Sequence, residues 1–156
     1  MEFDPETDLR LERVLKAPRQ LLWRCWTTPE LVKRFFVPKP HQVLDCQIDL
    51  RPGGPFDPTF EVEGHRMENS GVWLEVVPEE RLVFTDAYSA GWKPAPEPFM
   101  TAIIAFRDAP GGGTLYTAIA RPRSAAARQS HEEMGFHEGW GIVAEQPDAC
   151  AQGLQG

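Results

Sequence analysis

Glu75, Asp86 and Tyr116 are the side chains of this sequence whose types and neighbours could handle a proton in an apolar setting. Glu75 lies in Val72-Trp73-Leu74-Glu75-Val76-Val77. Period-two pairing across the turn Pro78-Glu79-Glu80-Arg81 predicts that Val77 faces Leu82, Glu75 faces Phe84 and Trp73 faces Asp86. A carboxylate among aromatic rings could orient a ligand hydroxyl or amine, or act as an acid or base with a raised pKa. The competing expectation is structural: an ion pair with a neighbouring arginine, or a place on a solvated outer face.

The other reactive residue types lack partners at useful spacing. His131 and His137 are six apart, which on a helix places them about 240° around the axis and not on the one face of a helical zinc site. Glu133 and His137 have i, i+4 spacing, which a surface pair explains better than a ligand pair. His41 and His65 fall in predicted loops, so no metal and no cofactor are expected. Ser70, Ser89, Ser124 and Ser130 lack a Gly-x-Ser-x-Gly elbow, and no cysteine has an adjacent histidine to activate it. Gly111-Gly112-Gly113 sits between two predicted strands and not before a helix, so it reads as a hairpin loop and not as a phosphate cradle.

These residues must be positioned by an α+β arrangement. Residues 9–15 alternate apolar and charged positions and read as a strand. Pro18 suits the first turn of a helix that carries Leu22, Trp23, Cys25 and Trp26, and Thr28-Pro29 starts a second helix with Leu31, Val32, Phe35 and Phe36. Strands are then expected over 42–50, 56–63, 66–77, 81–88, 98–107 and 114–121, separated by glycine- and proline-rich turns. From Ser124 the chain turns helical past Met134, Phe136, Trp140 and Val143, and Pro147 is expected to kink or end that helix. One domain over residues 8–150 is expected, with 1–7 and 151–156 as flexible termini.

Composition removes several classes of function. A net charge of −7 disfavours general affinity for nucleic acid or anionic lipid, which needs clustered cations. No run approaches the roughly 18 apolar residues of a membrane span, and the acidic start Met1-Glu2-Phe3-Asp4 does not read as an export signal. Three scattered cysteines suggest neither a disulfide framework nor a zinc site, so a reducing cytoplasm is the expected setting. Nine Phe and five Trp supply bulk for a core or a lined cavity.

Three landmarks carry a resemblance to a known family. They are Lys16-Ala17-Pro18 with Trp26-Thr27-Thr28-Pro29-Glu30-Leu31, then Asp49-Leu50-Arg51-Pro52-Gly53-Gly54, then Gly71-Val72-Trp73 through Pro78-Glu79-Glu80-Arg81-Leu82. With Gly112-Gly113-Thr114 and Gly139-Trp140, the chain resembles the SRPBCC (START-like) superfamily from residue 8 to about 146, in the branch named for the activator of the heat shock protein 90 ATPase. The resemblance implies a helix-grip fold: a curved antiparallel sheet of about seven strands wrapped on a long C-terminal helix, with two short helices between strands 1 and 2. That scaffold serves carriers, cyclases, receptors and co-chaperones, so it does not by itself assign an activity.

Within that fold Ala102, Ile104 and Phe106 should share an inward face with Tyr116, Ala118 and Ala120, and the alanines leave room for a cavity between sheet and helix. Its expected walls are Phe60, Trp73, Glu75, Phe84, Ile104, Tyr116, Phe136 and Trp140. The competing expectation is that Trp73, Phe136 and Trp140 fill that room themselves. Residues 90–98, with Trp92 among prolines, are a candidate rim. The expected partner is a small apolar ligand, with neither nucleic acid nor membrane insertion. A homodimer and a chaperone partner are compatible with the resemblance, and a cyclase- or hydrolase-type enzyme using the same cavity is the alternative function.

Overall fold

Strict alternation in Leu9-Arg10-Leu11 builds the first strand, β1 (Leu9–Leu15), whose Leu9, Leu11 and Leu15 are buried while Val14 faces out at 71 % exposure. The computed structural model describes residues 4–35, 42–62, 64–96, 98, 100–122, 124–133 and 136–155. Pro18 occupies the N-cap of α1 (Arg19–Thr27), one residue earlier than the sequence suggests, and its carbonyl accepts the N–H groups of Leu21 and Leu22. The Thr28 carbonyl accepts those of Leu31 and Val32 at 2.9 Å each and so starts α2 (Pro29–Phe35) with Pro29 at the first helical position. Phe36 and His41 lie outside the described residues.

Among the described residues nine strands follow: β2 (Gln42–Ile48), β3 (Phe56–Val62), β4 (His65–Glu68), β5 (Val72–Val77), β6 (Arg81–Thr85), β7 (Tyr88–Ser89), β8 (Lys93–Pro94), β9 (Met100–Asp108) and β10 (Thr114–Pro122). They form a five-stranded antiparallel sheet in the order β1-β10-β9-β6-β5, a three-stranded sheet β2-β3-β4 and the small hairpin β7-β8. The two larger sheets are joined by backbone bonds from Phe56 N–H to Gly71 O at 3.0 Å and from Trp73 N–H to Gly54 O at 3.0 Å. The single strand expected over 66–77 is therefore two. The break falls at Gly71, where a Cβ would lie 2.6 Å from the Thr85 carbonyl, so only glycine permits that approach. The expected strand 81–88 likewise ends at Thr85, and the chain leaves into the hairpin.

The β5–β6 register also differs from the expectation. Trp73 pairs with Phe84, Glu75 with Val83, Val76 with Leu82 and Val77 with Arg81, with a bulge between Trp73 and Glu75. Val77 pairs with Arg81 and not with Leu82, so the turn itself moves the count by one and Glu75 does not face Phe84; the extra residue, Leu74, moves it by one more, so Trp73 does not face Asp86. The residues expected to share an inward face on the last two strands also pair with one another. Tyr116 opposes Phe106, Ala118 opposes Ile104 and Ala120 opposes Ala102, and all six are buried.

Two helices close the chain, α3 (Ala125–Glu133) and α4 (Phe136–Gln155), and α4 lies against α1, α2 and β1. The helix does not end at Pro147, and Ala151, expected in a loose tail, is helical and fully buried. The backbone bond that proline forfeits is offset by its neighbour: Asp148 accepts the N–H groups of Lys16 at 3.1 Å and Ala17 at 2.8 Å, tying α4 to the start of α1.

Candidate functional site

An aromatic cluster forms where the two larger sheets meet. Phe56, at the start of β3, stacks on Trp73 of β5 with ring centroids 4.6 Å apart, and Phe84 of β6 meets their edges at 4.9 and 5.6 Å. Trp26 of α1 closes the cluster 6.3 Å from Phe84. Such ring pairs contribute about 0.5–1.5 kcal/mol each beyond the area they bury, so this corner is rigid.

Against the exposed side of that cluster lies a cavity of about 190 Å³. Buried Phe56 and Phe84 form its floor, Pro58, Phe60 and Met100 its sides, and half-buried Asp86 with exposed Ser70 its mouth. Hydrogen bonds tie its walls together. Asp86 Oδ1 accepts the Met100 N–H at 3.1 Å, Thr85 Oγ1 accepts the Ala87 N–H at 3.1 Å, and Asp57 Oδ1 accepts the Gly71 N–H at 3.1 Å. No lysine, arginine or histidine is among its described lining residues.

The hairpin β7-β8 rises from the mouth, since Asp86 and Met100 form its neck. The Trp92 ring, 56 % exposed, does not enter the cavity lining but lies over Gly53, where an added Cβ would stand 3.1 Å from it, with Tyr88 edge-on at 5.9 Å.

The eight expected wall residues fall into three places. Phe60 and Phe84 line the cavity, and Trp73 stands one ring layer behind it. Ile104, Tyr116, Phe136 and Trp140 lie deeper between the sheet and α4: Phe106 meets Tyr116 at 6.1 Å and Phe136 meets Trp140 at 5.7 Å. Glu75 is elsewhere, in an ion pair with Arg81 in which both the Nε and an Nη of the guanidinium donate to Oε1.

The groups that an enzymatic reading would use do not converge. Glu75 is tied to Arg81 at the start of β6, Asp86 follows its end, and Tyr116 sits on β10. Burial pushes the Tyr116 phenol up, so it is neutral, and its hydroxyl has no hydrogen-bond partner among the described residues. Among the described residues no group of His, Cys, Asp and Glu could hold a metal ion, while His41 and the side chains of His131 and His137 lie outside them. Cys25 and Cys46 are buried, the Cys25 thiol donating to the Pro147 carbonyl at 3.9 Å, and burial with nearby Asp45 and Asp57 pushes Cys46 up to about 12.

A second, polar depression of about 360 Å³ opens at the other end of β6 and β9, between Arg19, Glu80, Arg81 and Asp108. Arg19 crosses it, with Nε 3.1 Å from Asp108 Oδ1 and Nη1 donating to the Glu79 carbonyl at 3.2 Å.

Sequence reasoning did not single out Phe56, Pro58, Ser70 or Met100 as walls. The available signal was Asn69-Ser70-Gly71, polar and small residues interrupting what otherwise reads as one long strand, with a proline inside the neighbouring one.

The model of the family described as Activator of Hsp90 ATPase homolog 1-like protein matches residues 16–151. A crystal structure of a Nitrosomonas europaea protein is similar at 44 % identity and TM-score 0.94, covering 98 % of this chain and 99 % of that one. A Mycobacterium smegmatis protein matches at 26 % identity and TM-score 0.74 over 96 % and 93 % of the two chains. An Aeromonas hydrophila protein described as AHSA1-like shares the fold at 14 % identity and TM-score 0.68 over 95 % and 94 %. A comparison with curated proteins finds no match. The landmarks at Lys16-Ala17-Pro18, Pro52-Gly53-Gly54 and Gly71-Val72-Trp73, the antiparallel sheet with its helices and the match over residues 16–151 agree: this chain belongs to the Activator of Hsp90 ATPase homolog 1-like family of the SRPBCC superfamily.

Proposed function

We propose that the protein binds a small apolar molecule, of the size of one aromatic ring with a short substituent, in the cavity over Phe56 and Phe84. The observation that carries this reading is open apolar space beside rigid walls, where protein interiors are otherwise close-packed. An apolar cavity of about 150 Å³ accepts benzene, so about 190 Å³ accommodates a ring with one or two further heavy atoms. At about 0.7 kcal/mol per heavy atom, an eight-atom ligand would bind with a Kd on the order of 0.1 mM. Catalysis is the weaker reading, because Glu75, Asp86 and Tyr116 occupy separate places and only Asp86 reaches the cavity.

Toluene tests the proposal. Near-saturating toluene should raise the midpoint of thermal unfolding, because a ligand that binds only the folded state adds its binding free energy to stability. Ser70→Phe, which places a ring at the exposed mouth, should abolish that rise and shift the unligated midpoint little. An equal rise in both proteins, or none in the unaltered one, would contradict binding in this cavity.

A further inference from the structure

Three arginines line the polar depression of about 360 Å³ at the far end of β6 and β9: Arg19 from the start of α1, Arg81 from the start of β6 and Arg107 from the end of β9. Glu80 and Asp108 line it too, so the guanidinium groups are not fully matched by carboxylates. Arg107 is exposed and has no hydrogen bond or ion pair among the described residues. Arg81 gives its Nε and one Nη to Oε1 of Glu75, which is not a lining residue, and its other Nη has no acceptor among the described residues. Arg19 is less exposed, and its guanidinium crosses the depression. Its Nε stands 3.1 Å from Asp108 Oδ1, but the N–H is not aligned for a hydrogen bond, and Nη1 donates to the Glu79 carbonyl at 3.2 Å. That carbonyl belongs to a residue on left-handed backbone, φ +62°, which is uncommon for glutamate. Asp108 is a loose partner, because its side chain is 76 % exposed and ion pairs of that kind hold their geometry weakly.

We propose that this depression is a second binding site, for a small doubly charged oxyanion such as phosphate or a phosphate ester. The anion takes the place of the Asp108 carboxylate on Arg19 and is bound also by Arg107 and the remaining Nη of Arg81. Guanidinium forks match phosphate oxygens in geometry, and each such bond is charge-assisted. Asp108 moves into water at little cost, since most of its side chain is already there. A monoanion would do no more than replace Asp108, whereas a dianion also meets Arg107. The net charge of −7 repels an anionic bilayer, so the ligand is a soluble ion and not a membrane headgroup. The site shares no lining residue with the apolar cavity, and the proposal does not rest on the binding reading above.

The test titrates the full chain with inorganic phosphate at about pH 8, where the ion is mostly dianionic, and follows ¹⁵N-labelled arginine Nε–H signals. Those of Arg19, Arg81 and Arg107 should shift along one saturable curve with a Kd on the order of 1 mM, and acetate should bind at least about fivefold more weakly. Arg107→Gln should weaken phosphate at least about fivefold. Arg66→Gln, the same change of charge at an exposed position on β4, should alter it less than about twofold. Asp108→Asn and Glu80→Gln should each tighten phosphate by about threefold, because each removes a competing carboxylate. Arg107, Glu80 and Arg66 are exposed, so their variants should fold as the parent does. The absence of a saturable shift overturns the proposal. So do equal losses in Arg107→Gln and Arg66→Gln, which would mark a general effect of charge, and an Asp108→Asn variant that binds no tighter than the parent. Attachment to phosphatidic acid vesicles without binding of free phosphate also overturns it. Toluene affinity should be the same in all four variants, and a failure of toluene to bind would count against the apolar cavity alone.

Discussion

Strands β6 and β9 run side by side, and their two ends have been put to opposite uses. At the Thr85 and Met100 end, rings from three strands stack around open apolar space. At the Arg81 and Asp108 end, a larger depression is crossed by Arg19 and flanked by the Arg81–Glu75 pair. Volume alone would choose the second. Chemistry chooses the first, because water fills a polar depression at little cost, whereas an apolar recess gains by excluding it. Glu75 belongs to the polar end, in an ion pair with Arg81.

The largest effect should separate the two ends in stability. Phe84→Ala removes a buried ring that touches Phe56, Trp73 and Trp26, and is expected to cost about 3–5 kcal/mol in urea unfolding. Arg81→Ala, at the other end, should cost no more than about 1 kcal/mol, because its ion pair is partly solvated. Comparable costs at the two ends would break the contrast.

Acid titration offers a smaller test of where charge holds the fold. Burial alone would raise the Asp8 carboxyl, but the Arg121 guanidinium 3.1 Å from Oδ1 and the Asp4 N–H outweigh it, so the group lies below its ordinary 3.8. A depressed folded-state pKa contributes stability that is present above the ordinary value and lost as pH falls through the folded one. Unfolding free energy should therefore decline below about pH 3.8, less steeply in Asp8→Asn, while toluene affinity at pH 7 is the same in both. An unchanged acid limb in Asp8→Asn would remove Asp8 from that role.

The smallest effect is expected at Glu75. Glu75→Gln should leave toluene affinity unaltered and change stability by less than about 1 kcal/mol. A tenfold change in affinity would place Glu75 back beside the ligand.

Sequence periodicity made the fold legible wherever a strand stayed regular. Leu9 and Leu11, or Tyr116, Ala118 and Ala120, alternate without interruption and face inward. It failed first at the turn, where Val77 pairs with Arg81 and not with Leu82, and again at Leu74, because a bulge depends on the partner strand and on how the Gly53-Gly54 loop bonds to Trp73, which no local pattern records. The candidate site was half legible for the same reason. Phe60 and Phe84 announce themselves as aromatic strand residues, but Ser70, Pro58 and Met100 become walls only when Gly71 lets β5 approach Thr85. Pro147 misled in the opposite direction, because the partners that anchor the chain there, Lys16 and Ala17, are remote in sequence from Asp148.

Methyl resonances of the four methionines, labelled with ¹³C, test the central claim most directly. Met100 lies in the cavity wall, so titration with toluene should shift its methyl signal along a saturable curve, and Ser70→Phe should abolish that shift. A Met100 signal that stays fixed while toluene binds would place the ligand elsewhere and contradict the account.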